Sequence, residues 1–299
     1  MNLSARTKVC ALIGHPVEHS LSPIIQNAAF QHLGLDYVYV AFNVKPEDLG
    51  YAVLGAKSLG IHGLNVTMPH KVEVIRYLDE LDGDARLIGS VNTILNSNGR
   101  LIGYTTDGIG VLNALKYAGE DPANKKIIVL GAGGASRSIS FSLAKYAREL
   151  VILNRTVDKA EGLAKDIACS LGIRADTVRF GKLDYSHLET ELKDADIVIN
   201  ATSVGMKPND EETPIKRELL HSGLTVFDIV YEPLETRLLR EAKLAGAKTI
   251  DGLSMLIHQG AASFEIWTGV KAPIEVMREA ALKKIRETHE VSAPQQFKG

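Results

Sequence analysis

The fold of this chain is decided by residues Lys126–Arg155, which read KIIVLGAGGASRSISFSLAKYARELVILNR. Ile127–Leu130 is a short apolar run rich in β-branched residues, which is typical of a strand buried on both faces. A glycine cluster follows, then Ser136–Ala147 carries apolar residues at helical spacing and Leu150–Leu153 is a second apolar run. The pattern predicts a β-α-β unit. Its glycine loop leads into a helix start, whose free N–H groups suit a pyrophosphate.

The glycine loop matches a dinucleotide-binding fingerprint with one departure. Gly131 and Gly133 occupy the first two glycine positions of G-x-G-x-x-G, whereas Ser136 occupies the third. The second strand ends in Asn154-Arg155-Thr156, with Lys159 one helical turn later, where an enzyme that uses NAD usually has a carboxylate. A guanidinium and a hydroxyl suit the 2′-phosphate of NADP. The alternative is a solvated strand end with surface charges, and the β-α-β context favours NADP.

Length and composition exclude several classes of protein. The chain has 299 residues, enough for two domains, and its 34 basic and 36 acidic residues create no charge field suited to nucleic acid or a membrane surface. No apolar run approaches the roughly 20 residues that span a bilayer, and the apolar core of the N-terminus is too short for a signal peptide. Cys10 and Cys169 lie far apart without metal-ligand spacing. We therefore expect a reduced, cytoplasmic protein without a metal site.

Strands alternate with helices through the first hundred residues, which predicts a separate α/β domain. The predicted strands are Val9–Ile13, Tyr37–Phe42, Ile61–Val66, Val91–Leu95 and Leu101–Tyr104, and the predicted helices begin at Pro23, Pro46, Pro69 and Thr105. Ser22 is expected to cap the first of these helices, with Pro23 at its first position.

The dinucleotide domain continues beyond the β-α-β unit. Further strands are predicted near Thr177–Phe180, Ile197–Asn200, Thr225–Val230 and Lys248–Ile250, followed by helices over Leu253–Trp267 and Ile274–Glu287. We expect these two helices to pack on the first domain, so that residues 1–109 plus 253–299 bind substrate and residues 110–252 bind NADP. The last residues, SAPQQFKG, have the composition of a disordered tail.

Several polar residues lie where stability alone does not explain them. Lys71 is expected in the first turn of a helix, where the dipole disfavours a positive charge. Asp107 is its natural counter-charge, although it also reads as a helix cap. Polar side chains beside apolar segments are costly when unpaired, and these are Asn65, Thr67, Asn92 and Gln259. Each of these residues alone is typical of a structural residue whose polar groups are hydrogen-bonded within the protein. Their joint placement at the ends of strands and helices favours a ligand-binding site.

Eight motifs occur in order along the chain: His19–Pro23, Asn65–Lys71, Val91–Thr93, Thr106–Gly108, Gly131–Ala135, Asn154–Thr156, Asn200–Met206 and Gln259–Gly260. Together they resemble the shikimate dehydrogenase family, with quinate/shikimate dehydrogenases as the nearest relatives. The resemblance implies an α/β enzyme of two domains, one with a twisted mixed sheet and one a Rossmann domain with a parallel sheet. It implies reversible interconversion of shikimate and 3-dehydroshikimate with NADP, a reaction of aromatic amino-acid biosynthesis.

The resemblance also implies roles for individual residues. Lys71 and Asp107 would be the catalytic pair and would contact substrate. The other substrate-binding residues would be Ser20, Ser22, Asn65, Thr67, Asn92, Tyr231 and Gln259. The cofactor-binding residues would be Gly131, Ala132, Gly133, Gly134, Ala135, Asn154, Arg155, Thr156, Lys159, Thr202, Met206, Gly252 and Met255. We expect a small-molecule substrate, no nucleic-acid or membrane partner, and a monomer or homodimer.

Two residues depart from the family pattern, and two other kinds of protein remain as alternatives. Tyr104 and Thr105 stand where relatives often have Asp and Asn, so quinate as substrate and NAD as cofactor stay open.

A methylenetetrahydrofolate dehydrogenase has the same two-domain design but would not explain the Ser20 and Ser22 pair. A non-catalytic NADP-binding sensor would keep the glycine loop without needing Lys71 and Asp107.

Overall fold

A computed structural model describes residues 3–292, with side chains up to residue 287, and its contacts divide the chain into two compact units. The first unit comprises Met1–Glu80, Thr93–Ile102 and Gly260–Gly299, and the second comprises Leu81–Asn92 and Gly103–Gln259. The assignment of residues 1–109 plus 253–299 to substrate binding and of residues 110–252 to NADP binding stays a prediction. The expected disordered tail lies, from residue 293 onward, outside the described residues.

Twelve strands and ten α-helices occur in the described part of the chain. The strands are β1 Lys8–Gly14, β2 Tyr37–Asn43, β3 Gly63–Val66, β4 Glu80–Leu81, β5 Thr93–Ser97, β6 Arg100–Tyr104, β7 Lys126–Leu130, β8 Glu149–Asn154, β9 Val178–Lys182, β10 Ile197–Asn200, β11 Thr225–Asp228 and β12 Lys248–Ile250. The helices are α1 Ser22–His32, α2 Leu49–Ser58, α3 Gly83–Ile88, α4 Asp107–Tyr117, α5 Gly134–Ala144, α6 Val157–Leu171, α7 Tyr185–Glu191, α8 Arg237–Leu244, α9 Gly252–Thr268 and α10 Ile274–Ser292. Within residues 3–292, no helix combines the length and apolarity needed to cross a bilayer.

The first sheet is mixed, as predicted, with strand order β2-β1-β3-β5-β6-β4. β1 pairs in parallel with β2 and β3, whereas β3 and β5 are antiparallel. β5 and β6 are joined by a turn at Asn98 and Gly99, both of which have positive φ. Because Ile13 of β1 lies opposite Val66 of β3, the loops that follow these two strands leave the sheet at the same edge.

Aromatic residues fill the core of the first unit. The ring of Phe30 on α1 stacks on Tyr37 and on Phe264, with ring centroids 5.0 and 5.1 Å apart. Trp267 donates its indole N–H to the Ile94 carbonyl at 3.0 Å, which satisfies the polar end of a buried ring. α10 packs against α1, so the last helix completes the unit to which β1 belongs.

The second sheet is entirely parallel, which confirms the predicted Rossmann sheet, and its order is β12-β11-β10-β7-β8-β9. Alternate residues of β7 enter different hydrophobic clusters: Ile127 and Val129 belong to one, Ile128 and Leu130 to the other. Burial on both faces explains why the sequence of β7 is continuously apolar rather than alternating. The chain order reverses between β7 and β10, and such a switch point is where open parallel sheets bind ligands.

Three local predictions were wrong. Residues 68–72 form a turn followed by a 3-10 helix at Glu73–Tyr77 instead of an α-helix opened by Pro69. The ring of His70 is buried and bonded to the Val44 carbonyl at 2.7 Å, which holds this segment as a turn. The dipole argument for Lys71 therefore does not apply. Ser22 is the first residue of α1 rather than its cap, and Asp107 likewise begins α4.

Candidate active site

The predicted substrate residues of the first unit lie at one edge of its sheet. The loop after β1 leads to Ser20, whose hydroxyl accepts the N–H of Ser22 at 3.2 Å. The segment after β3 begins with Thr67, whose N–H donates to the Ile13 carbonyl at 2.9 Å, and continues to the half-buried Lys71. Parallel pairing of β1 and β3 therefore places two hydroxyl-bearing segments and a lysine at the same carboxyl edge.

Asn65, near the end of β3, is buried in a polar cluster. Its amide oxygen accepts the hydroxyl of Tyr39 at 2.8 Å. Its amide nitrogen donates to Thr93 at 3.2 Å and to Ser263 at 3.0 Å. All four residues belong to the first unit. None of Tyr39, Thr93 and Ser263 was among the predicted site residues. Thr93 ends one of the family motifs but was given no role, and an aromatic residue in a strand and a helical serine carry no functional signal.

A second polar cluster, in the second unit, joins three predicted residues. Asn92 donates its amide N–H groups to Thr106 and Asp107, at 2.9 Å each, and to Gln259 at 3.4 Å. The amide oxygen of Asn92 accepts the N–H of Thr106 at 2.8 Å. Asn92, Thr106 and Asp107 are almost completely buried. The cluster holds the carboxylate of Asp107 in one orientation, and its fourth member, Thr106, was not among the predicted site residues.

The glycine loop after β7 has the geometry that close backbone approach requires. Gly131 has φ +110°, and a Cβ there would lie 3.0 Å from the Ala201 carbonyl oxygen. Gly133 is the N-cap residue of α5, and a Cβ there would meet no atom of the protein within 4 Å. Ser136, in the third fingerprint position, donates its hydroxyl to the Gly131 carbonyl at 2.6 Å. The serine therefore closes the loop instead of disrupting it.

The neighbouring strand end presents two cations to solvent. β8 lies beside β7, with Leu153 opposite Leu130, so the Asn154-Arg155-Thr156 segment and the glycine loop share one sheet edge. The Asn154 amide donates to the Thr156 carbonyl at 2.9 Å and shapes the turn. Arg155 and Lys159 are exposed. Free N–H groups at the α5 start and two nearby cations fit the pyrophosphate and the 2′-phosphate of NADP.

Asp228 joins the two strand ends on the other side of β7. Its carboxylate accepts the Asn200 amide at 2.9 Å, the Val230 N–H at 3.1 Å and the Thr236 hydroxyl at 2.7 Å. Burial raises the pKa of Asp228 to about 6, against the lowering effect of these hydrogen bonds. Asn200 also accepts the hydroxyl of Thr202 at 2.7 Å. Asp228 therefore supports both loops in which nicotinamide and carboxylate contacts are predicted.

The remaining predicted residues differ in exposure. Met206 is 39% exposed, and Tyr231 is half-buried. Gly252 begins α9, whereas Met255 packs in a hydrophobic core cluster of the second unit. Among the described residues, no group of three or more His, Cys, Asp or Glu side chains could hold a metal ion.

Comparison with known proteins identifies the family. Three family models match: "Shikimate dehydrogenase substrate binding domain" over residues 12–94, "Shikimate / quinate 5-dehydrogenase" over 114–230 and "Shikimate 5'-dehydrogenase C-terminal domain" over 252–282. Shikimate dehydrogenase (NADP(+)) of Methanocaldococcus jannaschii is 54% identical over 285 residues, which cover 95% of this chain and 99% of the relative. The chain belongs to the shikimate dehydrogenase family.

Solved structures of the shikimate dehydrogenase family share this fold. A crystal structure of shikimate dehydrogenase in complex with NADP+ superposes with a TM-score of 0.91 at 54% identity, over 95% of this chain and 98% of that one. Quinate dehydrogenase of Corynebacterium glutamicum, in complex with NAD, superposes with a TM-score of 0.86 at 29% identity, over 93% of this chain and 99% of that one. Both branches of the family therefore have the architecture described above.

Proposed function

We propose that this chain is an NADP-dependent shikimate dehydrogenase that interconverts shikimate and 3-dehydroshikimate reversibly in aromatic amino-acid biosynthesis. The observation that carries the proposal is the 54% identity, across 95% of the chain, with a shikimate dehydrogenase (NADP(+)). The polar clusters around Asn65 and Asn92 support it, because they are built from residues of the family motifs. The substrate is a small molecule, and the protein is a cytoplasmic monomer or homodimer. Its two cysteines, both free, are consistent with that compartment.

The chemistry needs one proton and one hydride to leave the same carbinol group. NADP, when bound, supplies the nicotinamide ring that takes or returns the hydride. Lys71 or Asp107 carries the hydroxyl proton, since an amine and a carboxylate are both competent general bases. Asn92 orients the Asp107 carboxylate through a 2.9 Å hydrogen bond. Ser20, Ser22 and Tyr231 bind the substrate carboxylate through hydroxyl groups, and Asn65, Thr67, Asn92 and Gln259 bind the ring hydroxyls.

The residues near the glycine loop fit the cofactor. Gly131–Ala135 offers bare backbone and a helix start to the pyrophosphate. Asn154, Arg155, Thr156 and Lys159 would bind the adenosine end, and the guanidinium and the ammonium would supply positive charge to the 2′-phosphate. Thr202, Met206, Gly252 and Met255 would hold the nicotinamide side.

A single assay tests this function against the alternatives. The purified protein is mixed with shikimate and NADP, and the absorbance of the reduced cofactor is followed. We expect turnover that requires both compounds. A protein that binds NADP without oxidising shikimate would be a sensor, and one that oxidises a methylenetetrahydrofolate instead would be a different dehydrogenase.

A second candidate is a quinate/shikimate dehydrogenase that uses NAD or NADP. The similarity to a quinate dehydrogenase favours it, as do Tyr104 and Thr105, where relatives often have Asp and Asn. The side chain of Thr67 argues against quinate as the preferred substrate. A Cβ on Gly14 would overlap the Thr67 methyl group, so this methyl packs closely on the Gly14 backbone. A stiff β-branched side chain leaves less room for the extra hydroxyl of quinate than serine would.

Steady-state kinetics on both acids, with each cofactor, decide between the candidates. We expect kcat/KM to be higher for shikimate, by up to about 10²-fold, because a pocket rejects an added hydroxyl only weakly. Thr67→Ser should raise the quinate-to-shikimate ratio of kcat/KM by about tenfold, the effect of one methyl group in a pocket. Equal or higher kcat/KM for quinate in the unmodified protein would place the chain in the quinate/shikimate branch.

A further inference from the structure

A buried hydroxyl group at the start of α8 faces a buried carboxylate. Thr236 is completely buried and donates its hydroxyl proton to Asp228 at 2.7 Å. The same oxygen accepts the N–H of Leu239 at 3.3 Å and caps α8. A helix cap needs the hydroxyl only as an acceptor, so the bond to Asp228 is a second interaction that capping does not explain. Thr236 therefore connects the start of α8 to the end of β11.

The carboxylate of Asp228 fixes the orientation of the next side chain in the network. It accepts the Asn200 amide at 2.9 Å, in addition to the Thr236 hydroxyl. Burial raises the pKa of Asp228 to about 6, so at pH 8 the group is ionised and can only accept hydrogen bonds. The N–H side of the Asn200 amide must therefore face Asp228, and the amide oxygen is turned toward the residues that follow β10.

The β10 loop, residues 201–206, folds around the side-chain amide of Asn200. The amide oxygen accepts the N–H and the hydroxyl of Thr202, at 3.1 and 2.7 Å. The amide nitrogen donates to the Val204 carbonyl at 3.2 Å, and the Val204 N–H donates to the Thr202 hydroxyl at 3.1 Å. With the amide turned the other way, its oxygen would face the Val204 carbonyl and its N–H groups would face the Thr202 N–H. The shape of the β10 loop therefore depends on the orientation that Asp228 sets.

The β10 loop is packed between the glycine loop and Thr236. A Cβ on Gly131 would lie 3.0 Å from the Ala201 carbonyl oxygen and 3.2 Å from the Thr202 methyl carbon. A Cβ on Gly205, which has φ +91°, would lie 3.7 Å from the Cβ of Thr236. Reaction rates depend steeply on such placement, because a displacement of about 1 Å can cost about 10²-fold.

We propose that Thr236 is a positioning residue for hydride transfer: through Asp228 and Asn200 it holds the β10 loop where this loop contacts the nicotinamide side of the cofactor. This inference rests on the proposed function, in which Thr202 and Met206 hold that side. The pyrophosphate and the adenosine end are assigned to the glycine loop and to the end of β8, outside the β10 loop. Loss of the Thr236 hydroxyl should therefore slow the reaction more than it weakens NADP binding.

Thr236→Val tests the network, because it replaces the hydroxyl by a methyl group of similar size. Calorimetric titration with NADP at pH 8 gives the Kd and the number of binding sites, and kcat is expressed per site. The kcat should fall about ten- to hundredfold, as for a misplacement of up to about 1 Å. The Kd for NADP should change by less than about threefold, because the other cofactor contacts remain. Thr236→Ser keeps the hydroxyl and should keep kcat within about threefold.

Thr236→Val also removes a helix cap, which costs about 1 kcal/mol of stability, so a cap elsewhere in the second unit serves as the control. Asp184 caps α7 by accepting the N–H of His187 at 3.1 Å. Asp184→Ala therefore loses a cap without altering the network of Asp228, and it should keep the kcat of the unmodified protein. If Thr236→Val does not fold, Thr236→Ala compared with Thr236→Ser isolates the hydroxyl in the same way.

Three results would overturn the inference while the proposed function stands. They are a normal kcat in the variants without the hydroxyl, an equal loss of kcat in Thr236→Ser or Asp184→Ala, and a loss of NADP affinity as large as the loss of kcat. Absence of shikimate turnover in the unmodified protein would instead overturn the proposed function, and this inference with it.

Discussion

Lys71 is the residue on which turnover is expected to depend most. A positioned proton-transfer group contributes about 10²–10⁴-fold to a reaction rate, so Lys71→Ala should lower kcat by that factor. The KM for shikimate should change less, because the other polar contacts to substrate remain. Lys45→Ala, at an exposed position of the same unit, is the control and should retain full activity. Full turnover by a folded Lys71→Ala protein would remove Lys71 from the mechanism.

Arg155 is expected to determine the choice of cofactor. Its side chain is exposed and lies at the end of β8, beside the glycine loop. Loss of one charge-assisted hydrogen bond costs about 1.5–3 kcal/mol, or roughly tenfold to a hundredfold. Arg155→Ala should therefore lower kcat/KM with NADP by that factor and leave kcat/KM with NAD almost unchanged. Lys165→Ala, on the following helix, should affect neither. Equal losses with both cofactors would show that Arg155 has a structural role.

At the level of one structural element, two glycines of the loop after β7 are expected to have different roles: Gly131 allows the backbone conformation, and Gly133 leaves room for the cofactor. Gly131→Ala places a Cβ at φ +110° and 3.0 Å from the Ala201 carbonyl, so it should destabilise the protein by about 1–3 kcal/mol. Gly133→Ala meets no protein atom and keeps an ordinary backbone conformation, so it should lower the melting temperature much less than Gly131→Ala does, by no more than the loss of a good N-cap residue. It should nevertheless raise the KM for NADP by roughly tenfold or more, because the pyrophosphate approaches the backbone there. Thermal unfolding and NADP kinetics on both variants check this contrast, which fails if Gly133→Ala binds NADP normally.

At the scale of the whole molecule, Asp228 makes stability depend on pH. Its pKa is raised by burial from 3.8 to about 6, so the folded protein binds this proton more tightly than the unfolded chain. The resulting stabilisation is fully present below about pH 3.8 and is lost as pH rises through about 6. The raised pKa of Asp228 contributes about 3 kcal/mol to the free energy of unfolding at low pH. About half of this contribution is lost between pH 5 and pH 8.

Urea unfolding of the second unit at several pH values measures this dependence. The unfolding free energy of the unmodified protein should fall more steeply from pH 5 to pH 8 than that of Asp228→Asn, which has no carboxyl to titrate. The comparison concerns the slopes alone, because the substitution also alters hydrogen bonds. Asp158→Asn, at an exposed position, should keep the steep slope. Parallel curves for Asp228→Asn and the unmodified protein would contradict the assignment.

Local patterns in the sequence were enough for most of the architecture. The continuous apolar run of β7, the glycines after it and the second run of β8 predicted the Rossmann unit, because strand period and glycine conformation depend on neighbouring residues alone. The turn at residues 68–72 was mistaken for a helix. The residue that shapes it, His70, is bonded to Val44, and no local pattern reveals that contact. The short strand β4 and helix α3 were missed for a related reason, since two and six residues are too few to show a period.

What the sequence by itself determined is therefore the fold class, the family and the identity of the polar residues at strand ends. Only the tertiary structure decided which of them share hydrogen bonds. Asn65 and Ser263 are 198 residues apart, and Asn92 and Gln259 are 167 apart. Such pairs form because hydrophobic packing brings distant elements together, and the buried amides then bond to whichever polar groups lie within reach. Periodicity and motif spacing reflect neighbours along the chain, whereas the environment of a buried amide is set by neighbours in space.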